Sequence, residues 1–130
     1  MVNVLTAQVE PIMEHDDTVT SYFMYRKEAL RAATEGSYLE FVNEFELKSG
    51  AFVQPHFHNS HEFYYIIKGD GLMRVGDSTR PITRGDLVHI EPNAPHSIAA
   101  GSAGVRCFAF AVSFQEPGET YTVTTFPDWP

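Results

Sequence analysis

From Tyr38 to Thr125 the sequence is a series of short apolar runs with a period of two, cut every few residues by Gly, Asp, Asn or Pro. Successive side chains of a strand point to opposite faces, so this period describes half-buried strands and not amphipathic helices. In the first run Leu39, Phe41, Phe45 and Leu47 share one face, opposed by Glu40, Glu44 and Glu46, and Asn43 interrupts the apolar side. Phe52–His58, Glu62–Ile67, Leu72–Val75, Leu87–Ile90, Ser97–Ala99, Val105–Phe114 and Tyr121–Thr125 read as further strands. Lys48-Ser49-Gly50, Lys68-Gly69-Asp70-Gly71, Gly76-Asp77-Ser78, Arg84-Gly85-Asp86, Pro92-Asn93 and Gly101-Ser102 read as the turns between them. Many short strands at such spacing predict an all-β antiparallel barrel or jelly roll. The exception is Met24 to Ala33, rich in helix formers and followed by Gly36, which predicts one short helix. Residues 1–37 are therefore expected to pack, as an N-terminal segment with that helix, on a barrel of residues 38–130.

The 130 residues amount to one domain, and 43% hydrophobic against 20% charged residues suffices for a core. With 9 Lys plus Arg against 17 Asp plus Glu, the net charge of −8 argues against nucleic acid or an anionic membrane surface as partner. No apolar run approaches the roughly 20 residues of a membrane span. The start lacks the basic-then-apolar pattern of a secretory signal. Cys107 is the one cysteine, so no internal disulfide forms, and a buried strand position suits it. The expected location is the cytoplasm.

Five of the six histidines fall between residues 56 and 96. His56 and His58 are two apart in a strand and point to one face; Glu62 and Tyr64 share a face in the next run. If that run folds back beside the first, two imidazoles and a carboxylate converge, and His96 follows the turn-like Glu91-Pro92-Asn93-Ala94-Pro95. Imidazole with carboxylate suits iron, manganese, nickel, zinc or copper, and the lack of thiolates argues against a structural zinc site. His61 has the opposite strand parity to Glu62 and should point away, as should His89 and Glu91. His15, among acids, carries no signal of its own.

Gly50-x5-His56-x-His58-x3-Glu62-x6-Gly69 reproduces the first motif of the cupins, and Gly85-Asp86 leading to Pro92, Pro95 and His96 resembles the second. The chain thus resembles a single-domain metal-binding cupin, a double-stranded β-helix. That resemblance implies one divalent ion per chain, iron(II) ahead of manganese, nickel or zinc, held by His56, His58, Glu62 and His96. Two departures touch none of these residues: Glu91-Pro92-Asn93 replaces Pro-Pro-Gly, and Ala100 stands where an asparagine is common. Asn93 can adopt the left-handed conformation that glycine usually supplies.

Beside that centre, Tyr64 is the candidate general acid, general base or oxyanion donor, with core packing as its plain alternative. Gln54, two before His56, and Asn43 are candidate substrate contacts. Cupins host many reactions, so the residues leave several functions open on a small organic substrate. Oxidative cleavage by an iron(II)-type dioxygenase stands slightly ahead of non-redox lyase, isomerase or cyclase chemistry. The His-x-His-x3-Glu-x-Tyr spacing also resembles cupin dimethylsulfoniopropionate lyases, polyketide cyclases and sugar-acid lyases. A binding-only cupin is the third reading. Small cupins commonly pair, and Phe63-Tyr65-Ile67 with Phe108-Phe110 offers apolar surface for a homodimer.

Overall fold

A computed structural model describes residues 9–25, 27–33, 38–113 and 123–125; Arg26, Gly36, Phe114 and Tyr121 lie outside the described residues. The elements in chain order are β1 (Ile12–Glu14), β2 (Val19–Tyr25), α1 (Lys27–Ala33), β3 (Leu39–Leu47), β4 (His56–His58), β5 (Ser60–Val75), β6 (Ser78–Thr83), β7 (Leu87–Ile90), β8 (His96–Ser113) and β9 (Val123–Thr125). Every pairing between them is antiparallel. The fold is the jelly roll that the alternation predicts. Among the described residues no helix is long and apolar enough to cross a membrane.

Two long strands organise it. The first half of β5 pairs with the second half of β8 and with β7, while β3, β2 and β1 continue outward from β8. The second half of β5 pairs with the first half of β8 and with β6, and β4 and β9 extend that side. The two layers therefore share two strands, each bent once. The bends fall at Gly69-Asp70-Gly71 and Gly101–Gly104, where the β5–β8 register shifts. Gly69 has φ +82°, and a Cβ there would lie 2.0 Å from the Gly104 carbonyl oxygen; one on Gly71 would lie 2.3 Å from that of Ala99. Glycine at such a corner lets backbone approach backbone.

This corrects the reading of Gly69-Asp70-Gly71 and Gly101-Ser102 as turns: the chain bends there and does not reverse. β6, unforeseen because it is largely exposed, returns from the two-residue Gly76-Asp77 turn and pairs only with β5. Phe52–His58 shrinks to β4 because Pro55 has no N–H for a ladder; Phe52 keeps one isolated bridge to Ala99. Met24 and Tyr25 end β2 instead of starting the helix, and α1 packs beside β3 with Leu30 buried. β1 and β2 thus join the same sheet, pairing through β2 with β3.

The alternation in β3 also changes phase. A bulge between Leu39 and Phe41 turns Glu40 inward, where its carboxylate accepts a hydrogen bond from the buried Ser113 hydroxyl. Glu40 therefore leaves the polar face on which its position places it. Further along, β3 buries Asn43, Phe45 and Leu47. Facing them, β8 turns its small residues Cys107, Ala109, Ala111 and Ser113 inward. Burial pushes the Cys107 thiol up to about 12, as suits a core residue with no thiolate chemistry. Phe110 stacks outside on Phe63 at 4.7 Å, and Phe63 on His89 at 4.6 Å.

The corner makes a measurable demand. Gly69→Ala should lower unfolding free energy by about 3 kcal/mol or more, combining left-handed strain with a backbone clash. Gly76→Ala, at φ +57° with open space around it, should cost only about 1–2 kcal/mol. Chemical denaturation of both variants checks this, and equal losses would contradict the corner.

Candidate metal centre

β4 buries both of its histidines on the inner face, and β8 begins at His96 directly opposite His56 in the ladder. Glu62 comes from the other layer, on β5. The ring centroids lie 4.3 Å (His56–His96), 4.9 Å (His58–His96) and 5.4 Å (His56–His58) apart. The ligating atoms of the three imidazoles all lie within 4.8 Å of one another. Glu62 Oε2 touches His58 Nε2 and stands 3.6 Å from His96 Nε2. The structure thus assembles all four residues that the motifs single out.

Local backbone sets which nitrogen faces the centre. His56 Nδ1–H donates to the Gln54 carbonyl at 2.7 Å, and His96 Nδ1–H donates to the Ala94 carbonyl at 2.9 Å. A carbonyl only accepts, so both rings carry their proton on Nδ1 and present the Nε2 lone pair inward. Ser60 Oγ lies 3.3 Å from His58 Nδ1. The turn before His96 depends on Asn93 at φ +62°, which takes the left-handed conformation expected of it. Asn93 N–H donates to the His58 carbonyl at 2.7 Å, tying that turn to β4.

Burial pushes the His56 and His96 imidazoles down to about 4, so both are neutral near pH 7. Burial alone would raise the Glu62 carboxyl, but its contact with His58 and the adjoining imidazoles outweigh that and hold it below its ordinary value. His96 Nε2 is buried without a hydrogen-bond partner. The neutral His56 and His96 imidazoles with inward lone pairs, beside His58 and the Glu62 carboxylate, form a donor set that can hold a divalent transition metal.

The centre opens into a cavity of about 190 Å³ between the layers. Phe23, Phe41, Phe45, Val19 and Val53 make its apolar walls; Asn43, Ser21 and Tyr64 add polar groups. Tyr64 is buried, its ring edge-on to Phe45 at 5.0 Å and 6.3 Å from the His96 ring. Asn43 is buried, and its Oδ1 has no hydrogen-bond partner. Gln54 is not among the lining residues: Pro55 interrupts the alternation, and the part of Gln54 that serves the site is its carbonyl. His61 and His89 pair with each other away from the cavity, at 2.9 Å. The residue missed from sequence is His15, which lines the cavity with its ring centroid 4.8 Å from that of His56. Nothing local in an acidic turn announces that placement.

The sequence matches the Cupin domain family over residues 43–112. An uncharacterized protein of Streptomyces coelicolor is 30% identical over 88 residues, 61% of this chain and 82% of that protein. The H2HPP isomerase of Bacillus subtilis is 34% identical over 71 residues, 54% of this chain but only 30% of the isomerase. Among solved structures, a predicted oxalate decarboxylase of Thermotoga maritima superposes with TM-score 0.74 at 21% identity, covering 86% of this chain and all (100%) of that one. A variant of Bacillus subtilis oxalate decarboxylase gives 0.72 at 19%, with 92% of this chain matched to 31% of that one. At these identities the two structures speak for the fold alone.

A neutral, buried imidazole pair has a signature in acid. Its pKa lies below the unfolded value, so its contribution to stability is complete above about 6.5 and is lost as pH falls toward about 4. The depressed Glu62 acts in the same direction. The thermal midpoint of metal-free protein should drop by about 5 °C or more between pH 7.5 and 5. A His56→Gln, His96→Gln variant should lose most of that slope, and a flat wild-type profile would refute the neutral pair.

Proposed function

The chain belongs to the cupin family, and on that premise we propose that it is a metal-dependent enzyme that moves a proton on a small oxygen-bearing organic molecule, in the manner of an isomerase or lyase. The observation that carries this is the cavity itself: His56, His58 and Glu62 of the donor set line a pocket that also holds Tyr64 and the unsatisfied Asn43. His56, His58, Glu62 and His96 would hold the ion. When bound, a divalent ion supplies Lewis acidity toward a carbonyl, enol or carboxylate oxygen. Everything else is assigned to this chain's side chains. Asn43 Oδ1 accepts from a substrate O–H or N–H. Tyr64 holds or delivers the proton through its hydroxyl. Phe23, Phe41 and Phe45 enclose the apolar remainder and exclude water. The name of the isomerase relative supports this order.

Oxidative cleavage at an iron(II)-type centre is the second reading. The apolar walls favour it, since they suit a nonpolar substrate and gas. The sequence alone sets it slightly ahead; the hydrogen-bonding groups gathered in the cavity reverse that order. Metal analysis of the isolated protein, followed by NMR of small 2-oxo and 2-hydroxy acids in D₂O, separates the two. Metal-dependent exchange of a C–H next to the carbonyl, supported by zinc or manganese without oxygen uptake, is expected. Tyr64→Phe should reduce it about 100-fold with metal content unchanged. Oxygen uptake supported only by iron, without exchange, would establish the second reading instead.

The homodimer is proposed to form on the outer face of β5 and β7, where Tyr65 and Leu87 stand opposite each other and are 43% and 60% exposed. Phe63, two residues from Tyr65 on the same strand, stacks on Phe110, adding apolar surface that a second copy can cover. Sedimentation should show a dimer at micromolar concentration and a monomer for Leu87→Asp. A monomeric wild type would end the proposal.

A further inference from the structure

The β1–β2 turn is unusual among the turns of this fold. Glu14 pairs with Val19, and the four residues between include His15, Asp16 and Asp17 at φ +52°, +56° and +62°. Left-handed non-glycine residues are strained, and such conformations persist where the surroundings over-determine them. Here the Thr18 N–H and hydroxyl both donate to the His15 carbonyl, at 3.2 and 2.7 Å. The consequence is a half-buried imidazole against the His56 ring, lining the cavity. His15 stands outside the group formed by the three ligating imidazoles.

We propose that His15 is a substrate-contacting residue, held by this turn to hydrogen-bond an oxygen of the molecule bound at the metal centre, and that this molecule is a neutral or singly charged hydroxy or oxo compound with an apolar remainder. The proposal rests on the metal-centre reading and deepens it. Asn43 is the independent observation: it is 5% exposed, lines the same cavity and has an acceptor without a donor, so the site is built for a ligand bearing an O–H or N–H. Charge sets the class. Among the described residues no Lys or Arg lines the cavity, whereas Glu14 and Glu62 do. A divalent ion beside Glu62 would leave one positive charge at the ion itself to meet one carboxylate, and Glu14 adds a negative charge to the lining that opposes a second. A second, distal carboxylate would sit against Phe23, Phe41 and Phe45 with no partner.

The test uses the full chain loaded with Co(II), whose visible absorption reports ligands at the ion, titrated with lactate and with malate. Both are 2-hydroxy acids; malate adds a distal carboxylate. Lactate should perturb the spectrum, with malate at least about tenfold weaker. His15→Leu should raise the lactate Kd at least about tenfold, the value of one lost hydrogen bond, with Co(II) stoichiometry unchanged. His15→Gln, which keeps a donor, should stay within about threefold. An unchanged lactate Kd in His15→Leu, or malate binding as tightly as lactate, would overturn the proposal. A wild type that takes up no Co(II) would overturn the metal-centre reading beneath it.

Discussion

Two strands have to serve both layers of this fold, and backbone packing at one corner permits it. β5 and β8 each leave one layer and enter the other where Gly69 meets Gly104 and Gly71 meets Ala99. Any side chain at these glycines would drive a Cβ into a carbonyl. The corner places the two halves of each strand on opposite walls, so residues only a few positions apart end up facing each other across the interior. Glu62, in the first half of β5, can therefore touch His58 on β4, which extends the other layer. Without the bend the donor set would be split between two surfaces.

The site's electrostatics follow from its burial. Four ionisable groups lie almost wholly out of water, which is costly unless each is neutral or paired. The carbonyls of Gln54 and Ala94 resolve this for His56 and His96 by accepting the Nδ1 proton. The rings are held neutral with their other nitrogens turned toward one point. The bonds that hold the buried rings in place thus also orient the donors for an ion. The small inner residues Cys107, Ala109 and Ala111 of β8 are buried beside β3, whose Phe41, Asn43 and Phe45 line the cavity.

Much of this was legible in the chain. The period of two announced strands, and the His56, His58, Glu62 spacing placed three donors on inward positions, because parity along a strand is a local rule. The failures share a cause. Gly69-Asp70-Gly71 has the composition of a hairpin turn, and only the presence of β8 makes it a bend within one strand. Glu40 has the parity of a surface residue, and a bulge opposite β8 buries it against Ser113. Gln54 has the parity of a cavity residue, and Pro55 removes it.

Strand content, the shared face of His56 and His58 and the left-handed turn at Asn93 were legible in the sequence itself, since each depends on residue type and on neighbours a few positions away. Tertiary structure decided which face of β8 looks inward, the meeting of His96 with His56, and the approach of His15 to His56 across 41 residues of chain. Those outcomes arise from pairing between distant strands. Hydrophobic periodicity carries no information about which strands meet, so only the closed barrel could settle them.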